Sequence, residues 1–323
     1  MRREARAFWI SEPGIGEIRP ESLPEPGPDD VLVRTLWSAV SRGTESLVFR
    51  GGVPVSQYTE MRAPFQDGDF PGPVKYGYLN VGVVEHGPPE LAGRTVFCLY
   101  PHQSAYVVPA AAVVPVPEGV PARRAVLAGT VETAINALWD AAPRIGDAVT
   151  VIGAGMVGCC VARLLAGFPA VRVTLVDIDP SRQPVAEALG VEFARPGQAA
   201  GEQDLVVHTS ASSAGLQLAL DLLAPEGTVL ELSWYGDAPA TVALGAAFHS
   251  RRLRIQASQV GTVAAARRTN HSTRDRLAIA LRLLADPAFD ALLTGSSAFA
   301  ELPTLMGRLA ELPVLCHTIS YEE

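Results

Sequence analysis

The sequence predicts an α/β protein that combines a doubly wound parallel sheet with a second, β-rich domain. Short apolar runs separated by proline- and glycine-rich turns fill the first 118 residues. Strand-like and helix-like segments then alternate up to residue 262, and one strand-to-helix junction carries three closely spaced glycines. The chain has 323 residues, which is enough for two domains of roughly 150 residues each.

The β-rich part is predicted to span residues 1–118. Its strand candidates are the apolar runs 31–37, 79–84, 94–99 and 105–108. Residues 51–73 show little periodicity and hold several prolines and glycines, so we expect an ordered surface loop or a lid there.

The parallel sheet is predicted within residues 119–262. The strand candidates are 148–152, 171–176, 204–208, 228–232 and 253–256. The helix candidates between and before them are 125–141, 156–167, 182–189 and 215–224. Strands that alternate with helices at this spacing predict βαβ units and a parallel sheet covered on both faces.

The last part, residues 263–323, departs from this alternation. It contains an amphipathic helix candidate at 274–285, a second helix at 302–312 and a final strand at 314–319. We treat this part as a separate C-terminal segment.

Composition and charge exclude several classes of function. The formal net charge is −8 and the pI is near 5.3, which gives no field for holding a nucleic-acid backbone. The longest uncharged apolar stretch, between Asp147 and Arg163, is too short for a bilayer span, and the N-terminal residues lack the apolar core of a secretory signal. We therefore expect a cytoplasmic protein without membrane contacts. The four cysteines form no C-x-x-C pair, which argues against a structural zinc lobe.

The strongest motif is Gly153-Ala-Gly155-Met156-Val157-Gly158, which follows one predicted strand and opens a helix. Its first glycine allows the tight turn, its second lets the backbone approach a diphosphate, and its third lets the helix pack on the sheet. The free N–H groups at the start of the helix would bind the diphosphate. This pattern predicts a dinucleotide site that includes Met156 and Val157.

An acidic residue, Asp177, ends the next predicted strand, 19 positions past the third glycine. Its carboxylate would accept hydrogen bonds from a ribose 2′-hydroxyl and repel a 2′-phosphate, so NAD is favoured over NADP. Arg182 follows soon after and could soften that preference. A glycine-rich turn in an unrelated α/β core is the alternative interpretation.

Two polar loops follow later strands of the predicted sheet, and they carry Ser210 and Ser233. Loops at the carboxyl ends of such strands line the cofactor crevice, so both serines are candidate cofactor-binding residues. The alternative is ordinary loop polarity. A dinucleotide site of this type favours hydride transfer over binding alone, because the cofactor supplies the reactive atom.

With these motifs the chain resembles the medium-chain dehydrogenase/reductase superfamily, the zinc-alcohol-dehydrogenase-like enzymes. The resemblance rests on Ser41-Arg-Gly-Thr-Glu45, on 75–84 and on Gly153 to Gly158. It implies a GroES-like catalytic domain, a Rossmann domain, a tail that returns to the catalytic domain, and a homodimer. The short Ser-x-Gly-Thr-Glu pattern is most similar to the bacteriochlorophyllide dehydrogenase branch.

The positions of the family's catalytic zinc ligands carry other residues here. Ser41 or Arg42 replaces the first cysteine, Tyr78 and Leu79 replace the His-Glu pair, and the third position falls near Gly129. A catalytic zinc site takes its protein ligands from thiolate, imidazole and carboxylate. We therefore expect no catalytic zinc.

Without zinc, hydrogen-bond donors or a cation must stabilise the charge that hydride transfer creates. The aligned site offers Tyr78, Lys75, Thr44 and Glu45. Lys75 is the single lysine beside 25 arginines, and it could lower the pKa of the Tyr78 phenol to form an acid/base pair. The alternatives are a surface lysine beside a core tyrosine, and a salt bridge of Glu45 to a nearby arginine.

Two further residues are weaker candidates. His102 lies where the family often places pocket residues, although a lone histidine is commonly structural. Glu132 lies beside the lost third ligand position.

The sequence thus predicts an NAD(H)-dependent dehydrogenase or reductase, of the class acting on an alcohol, a carbonyl or an activated alkene. Three alternatives remain open. One is a zinc enzyme with unconventional ligands from Glu45, His102 or Glu132. The others are a cofactor-binding paralogue without turnover, and an NADP(H) reductase.

Overall fold

The computed structural model describes residues 4–322. The chain forms two compact units. Of the described residues, the first unit contains 4–129, Leu277–Pro287 and 293–322, and the second contains Thr130–Arg276 and Ala288–Leu292.

The N-terminal part of the first unit consists mainly of strands. In chain order its elements are β1 (Glu4–Glu12), β2 (Ile15–Ser22), β3 (Asp30–Val40), α1 (Arg42–Phe49), β4 (Asp67–Gly68), β5 (Val74–Lys75), β6 (Asn80–His86), β7 (Thr95–Cys98), β8 (Ala105–Pro109), β9 (Val113–Pro115) and α2 (Ala122–Ala125). Residues 51–73 are largely irregular, with a 3₁₀ turn at Val55–Gln57 and the two-residue β4.

The second unit alternates helices and strands. Its elements are α3 (Ala128–Ala141), which begins in the first unit, then β10 (Ala148–Ile152), α4 (Met156–Leu165), β11 (Arg172–Val176), α5 (Gln183–Ala188), β12 (Glu192–Ala194), β13 (Gln203–His208), α6 (Ser213–Leu222), β14 (Leu223–Glu231), α7 (Ala247–Ser250) and β15 (Arg254–Ala257). The remaining elements are α8 (Thr273–Leu283), β16 (Leu293–Ala298), α9 (Leu302–Arg308) and β17 (Cys316–Ser320).

The first unit contains two sheets. Strands β2, β1, β5 and β4 form one in that order, and β16, β17, β3, β6, β7 and β9 form the path of a seven-stranded sheet whose β8 also pairs with β3. Inward-facing valines of β3, β6 and β7 pack around the buried Tyr106. The C-terminal segment joins this sheet, because β17 pairs antiparallel with β3.

The second unit is built on a six-stranded parallel sheet of order β12-β11-β10-β13-β14-β15. Every residue of the central β10 is buried, as expected for a strand covered on both faces. The helix α6 packs on β13 and β14 through Leu216, Ala219 and Leu220. The predicted combination of a parallel sheet with a β-rich part is confirmed.

Several element boundaries differ from the prediction. The predicted helix 125–141 is two helices, α2 and α3, and the strand β12 has no counterpart among the predicted strands. The predicted helix 302–312 ends at Arg308 and tightens into a 3₁₀ turn at Leu309–Glu311. Pro313 explains this ending, because the residue before a proline avoids the helical conformation.

No helix among residues 4–322 has the length and apolar character that crossing a bilayer requires.

Candidate functional site

The glycine turn of the second unit lies between the end of β10 and the start of α4. Gly153 has a φ of +104°, in the region that favours glycine, and a Cβ there would lie 2.8 Å from Thr209 Oγ1. A Cβ on Gly158 would lie 1.9 Å from the Gly153 carbonyl oxygen. Both positions therefore need glycine for the turn and for close packing of the helix.

Gly155 differs from the other two glycines because the space around it is open. It is the N-cap of α4 with a φ of −80°, and a Cβ there would meet no atom within 4 Å. Met156 and Val157 follow in the first turn, whose N–H groups lack intrahelical acceptors. The turn thus presents N–H donors and the positive end of a helix to the surface, an arrangement that fits a diphosphate.

Asp177 lies directly after β11 and beside this turn. Its Oδ2 accepts a hydrogen bond from the Ala154 N–H at 2.7 Å, and its Oδ1 accepts one from the Asp179 N–H at 2.8 Å. Arg182 is buried, with its Nε 3.4 Å from Asp179 Oδ2. The structure therefore brings Asp177 to the glycine turn, while the Arg182 guanidinium contacts Asp179.

Ser210 and Ser233 lie just beyond the ends of β13 and β14. The Ser233 hydroxyl accepts a hydrogen bond from the Ala211 N–H at 3.1 Å, so the two loops are joined. Ser210 Oγ lies 2.7 Å from Nε2 of His208, and His208 Nδ1 lies 2.7 Å from Glu231 Oε2. His208 opens the loop that was expected to line the cofactor, but neither its own role nor Glu231 was predicted, although an ionisable residue at the end of an apolar strand was an available signal.

In the first unit, Tyr78 lies between β5 and β6, and its hydroxyl forms hydrogen bonds with the side chains of Ser41 and Thr44. Burial raises the pKa of Tyr78 to about 12, and the negative charge of Glu45 adds to that effect. The two hydroxyl contacts act in the other direction and are weaker. The phenol is therefore a neutral hydrogen-bond donor at physiological pH.

Glu45 is a buried carboxylate on α1, close to Tyr78. Its Oε1 accepts the Ser41 N–H at 2.8 Å, which anchors the carboxylate at the start of the helix. Its Oε2 lies 2.8 Å from Nε2 of the buried His102. The structure thus brings together Tyr78, Thr44, Glu45 and His102, four of the five predicted catalytic residues.

The network continues beyond His102 to two residues that the sequence analysis did not single out. His102 Nδ1 lies 2.7 Å from Ser38 Oγ, which lies 3.0 Å from the Tyr321 hydroxyl. Ser38 belongs to β3 and Tyr321 follows β17, so the pairing of these strands creates the contact. A sequence separation of 283 residues left no local signal for it.

Lys75 is buried, but its ammonium contacts a different set of groups. Its Nζ donates a hydrogen bond to Gln103 Oε1 at 3.1 Å and lies 3.6 Å from carboxylate oxygens of both Glu21 and Asp67. It also lies 5.5 Å from the centre of the Trp9 ring. These contacts do not support the predicted Lys75–Tyr78 pair, which stays a prediction.

The positions that hold zinc in the resembled family do not fit that metal here. Leu79 is fully buried, and a Cβ at Gly129 would lie 2.6 Å from its Cδ2. Leu79 therefore fills the space that a ligand side chain at position 129 would need. Across residues 4–322 there is no cluster of three or more His, Cys, Asp or Glu side chains arranged to hold a metal.

Glu132 lies inside the second unit on α3 and pairs with Arg276 at 2.9 Å. Burial raises the pKa of Glu132 to about 7, although the Arg276 charge opposes this. Arg276 also donates to Asn136 and to the Val260 carbonyl. This buried set of contacts ties α3 to the start of α8.

No protein-family model matches the sequence, and no curated protein sequence matches it. Solved structures match nearly the whole chain. L-idonate 5-dehydrogenase from Escherichia coli K-12 has a TM-score of 0.81 at 14% identity, over 99% of each chain. A second structure is that of a Sinorhizobium meliloti protein described as a zinc-binding dehydrogenase and bound to NADP. It has a TM-score of 0.80 at 15% identity, over 99% of this chain and 100% of that chain.

A third structure is described as a short chain alcohol dehydrogenase from Escherichia coli CFT073 in complex with NADH. It has a TM-score of 0.79 at 17% identity, over 98% of this chain and 99% of that one. At these identities the likeness establishes the fold. The fold that the resemblance implied is the fold of these dehydrogenase structures.

Proposed function

We propose that this protein is an NAD(H)-dependent oxidoreductase that transfers a hydride between nicotinamide and an alcohol or carbonyl compound without catalytic zinc. The observation that carries the proposal is the glycine turn. Gly153 and Gly158 are required by packing, whereas Gly155 faces open space in front of a helix N-terminus. The solved structures with this fold that carry NADP and NADH support the same assignment.

The second unit would hold the cofactor through backbone N–H groups, one carboxylate and two serine side chains. Backbone N–H groups of Met156 and Val157 would donate to the diphosphate, and the Asp177 carboxylate would accept from the adenosine ribose. Bound nicotinamide supplies or accepts the hydride. Ser210 and Ser233 would line the site at the ends of β13 and β14.

The choice of NAD over NADP follows from charge. A 2′-phosphate would meet the Asp177 carboxylate, and the Arg182 guanidinium, which could offset that charge, already contacts Asp179. One neighbouring structure carries NADP and another carries NADH, so the fold accepts either cofactor and the preference would depend on these residues.

In the first unit, Tyr78 would take the electrostatic role that zinc has in the resembled family. Carbonyl reduction develops negative charge on the carbonyl oxygen, and a neutral phenol can donate a hydrogen bond and then a proton to that oxygen. Thr44 and Ser41, which already hydrogen-bond the Tyr78 hydroxyl, would orient it. In alcohol oxidation the Tyr78 hydroxyl would take up the alcohol proton only as it gives up its own proton to a neighbouring acceptor.

Glu45 and His102 would serve as the path by which this proton is exchanged. The Glu45 carboxylate holds one imidazole nitrogen at 2.8 Å, and the other nitrogen contacts Ser38 at 2.7 Å. After carbonyl reduction, a proton returned through this pair would restore the neutral phenol. Both side chains are buried, which limits exchange with bulk water to this network.

The proposal is tested by titrating NADH into the purified protein and then measuring turnover of a panel of alcohols and carbonyl compounds at the nicotinamide absorbance band. We expect tight NADH binding and turnover of at least one compound class. Binding of NADH without any turnover would favour the alternative of a cofactor-binding paralogue. Absence of NADH binding would overturn the proposal itself.

A further inference from the structure

A buried histidine at the carboxyl edge of the parallel sheet has no role in the chemistry described so far. His208 ends β13, is fully buried, and lies directly opposite Glu231 at the end of the neighbouring β14. Its two ring nitrogens have different partners, since Nδ1 lies 2.7 Å from Glu231 Oε2 and Nε2 lies 2.7 Å from Ser210 Oγ. The imidazole therefore links a carboxylate to a hydroxyl.

Hydrogen bonds from neighbouring groups stabilise the Glu231 carboxylate as an anion. The Ser233 N–H donates to Glu231 Oε1 at 2.7 Å, and the Tyr235 hydroxyl donates to Oε2 at 3.0 Å. Burial acts to raise the pKa of Glu231, but hydrogen bonds from His208 and Ser233 outweigh it and hold this pKa below its usual value. An ionised Glu231 is an acceptor, so the His208 Nδ1–H donates to it. In the neutral imidazole with this tautomer, Nε2 is an acceptor.

The direction of the hydrogen bond between Ser210 and His208 follows from this tautomer. The Ser210 hydroxyl donates its proton to His208 Nε2. The Ser212 hydroxyl accepts the Gly215 N–H at 3.0 Å and lies 2.9 Å from Ser210 Oγ, to which it can donate. Ser210 is exposed. Because its own proton points inward, Ser210 offers a lone pair, as an acceptor, to the surface.

The surrounding backbone leaves room for this arrangement only because residue 215 is a glycine. A Cβ there would lie 2.2 Å from Ser210 Oγ and 2.7 Å from His208 Nε2. The first turn of α6 therefore packs directly against both atoms and fixes their positions.

We propose that His208 is a positioning residue which, held by Glu231, orients Ser210 Oγ as the acceptor for a hydroxyl of the nicotinamide-side ribose. This inference rests on the proposed dinucleotide site. The strand order places β11, with Asp177 at its end, on one side of β10, and β13 and β14 on the other. With the diphosphate at the turn after β10 and the adenosine ribose at Asp177, the other half of the dinucleotide extends over His208 and Ser210.

The test compares three ligands that share the diphosphate, namely ADP, ADP-ribose and NADH, by isothermal titration calorimetry. ADP lacks the second ribose, whereas ADP-ribose carries it without nicotinamide. We expect Ser210→Ala to raise the dissociation constants of ADP-ribose and NADH about tenfold, as for one lost hydrogen bond, and to leave that of ADP unchanged. Ser210→Thr, which retains a hydroxyl, is expected to restore most of the affinity. Ser213→Ala serves as the control, because that hydroxyl accepts the Thr241 N–H outside this network.

The role of His208 is tested by comparing the dissociation constants of the two single variants with that of the double variant. His208→Asn can still donate to Glu231, but its shorter side chain has no acceptor at the position of Nε2 for the Ser210 proton. We therefore expect the same selective loss for ADP-ribose. The double variant with Ser210→Ala is expected to bind no more weakly than either single variant, because both changes break the same link.

The outcomes separate the two proposals. If the wild-type protein binds none of the three ligands, the proposed function fails and this inference fails with it. If it binds all three and Ser210→Ala changes none of the dissociation constants, or weakens ADP as much as ADP-ribose, only the role of Ser210 and His208 is overturned.

Discussion

The chemical character of Tyr78 depends on what surrounds its hydroxyl. Burial and the nearby Glu45 carboxylate raise the pKa of the phenol to about 12, and Thr44 and Ser41 hold the hydroxyl by hydrogen bonds. A phenol in this state is not a base at neutral pH. It is a fixed donor, suited to an oxygen that gains negative charge during the reaction.

Replacing Tyr78 with Phe is therefore expected to lower kcat roughly 10²–10³-fold, the usual effect of removing a donor to a developing oxyanion. The dissociation constant of NADH should not change, because the cofactor residues belong to the second unit. Steady-state kinetics and NADH titration measure the two quantities. Since the pKa is about 12, the rate should show no phenol ionisation between about pH 7 and pH 10.

Tyr76→Phe is the matched control for this variant. Its ring contacts the Tyr78 ring edge-to-face at 5.9 Å, so the substitution preserves the packing and removes a different hydroxyl. We expect it to retain near wild-type kcat. Equal activity of both variants would contradict the assignment of Tyr78.

Asp177 is the residue on which cofactor choice depends. Asp177→Asn removes the charge but retains an oxygen that can accept one of the two backbone N–H groups now bound by the carboxylate. We expect the preference for NADH over NADPH to fall about tenfold or more, because the repulsion of the 2′-phosphate is lost. Dissociation constants for both cofactors, measured in the wild type and the variant, give this ratio. A wild type that prefers NADPH would show that the argument from Asp177 is wrong.

At the scale of elements, the junction of β10 and α4 separates the needs of folding from those of binding. A Cβ at Gly158 would lie 1.9 Å from a backbone oxygen, whereas a Cβ at Gly155 would enter open space at an ordinary φ of −80°. Gly155→Ala is therefore expected to leave the melting temperature nearly unchanged. It should still weaken NADH binding at least tenfold, because the added methyl group occupies the path of the diphosphate.

Gly158→Ala is the contrasting variant. The helix and strand must separate to admit the methyl group, so we expect clear destabilisation, of the few kcal/mol that overpacking costs. Thermal melts and NADH titrations of both variants provide the comparison. If Gly155→Ala bound NADH normally, the diphosphate would not lie at this turn.

The helices α3 and α8 are connected by the buried contact between Glu132 and Arg276, and the burial of Glu132 makes stability depend on pH. Burial raises the pKa of Glu132 from 4.5 to about 7. A raised pKa in the folded state means that the stabilisation is fully present below pH 4.5 and is lost as the pH rises through 7. This change corresponds to about 3 kcal/mol in the free energy of unfolding.

Glu132→Gln removes the titrating group. We expect the drop in unfolding free energy between pH 5 and pH 8 to be smaller in this variant than in the wild type by up to about 3 kcal/mol. Urea denaturation at the two pH values measures it. Glu187→Gln, on the exposed face of α5, is the control and should keep the wild-type pH dependence. A wild type that is equally stable at both pH values would contradict the raised pKa.

For the whole molecule, the sequence was most informative where the signal is local. The glycine spacing, the buried strand before it and Asp177 after the next strand predicted the turn, because a βαβ unit brings these residues together within about 30 positions. The alternation of strands and helices predicted the parallel sheet for the same reason. The short β12 was not predicted, because three residues give too little periodicity, and the break between α2 and α3 interrupts an otherwise continuous apolar pattern.

Contacts between distant residues could not be predicted in this way. The Glu45–His102 pair joins residues 57 positions apart, and Ser38 meets Tyr321 only because β17 pairs with β3. Lys75 and Tyr78 are three residues apart, but outside a helix that spacing does not place two side chains on one face. The buried lysine instead contacts acids that strand pairing brings to it, as with Asp67 opposite Lys75 in β4 and β5.

Metal content is the property of the whole molecule that most directly tests the chemistry, since the fold is shared with a protein described as a zinc-binding dehydrogenase. Here Leu79 fills the space beside Gly129, and the phenol of Tyr78 stands where the family has an imidazole. The positions that hold the metal in the family thus supply no thiolate, imidazole or carboxylate here, and among residues 4–322 no three such side chains are arranged to hold a metal. We therefore expect protein purified without added zinc to contain far less than one zinc per chain by mass spectrometry. We also expect its turnover to be unchanged after dialysis against a chelator and after zinc is added back. One zinc per chain, with activity that disappears on chelation and returns with the metal, would instead favour a site built from Glu45, His102 or Glu132.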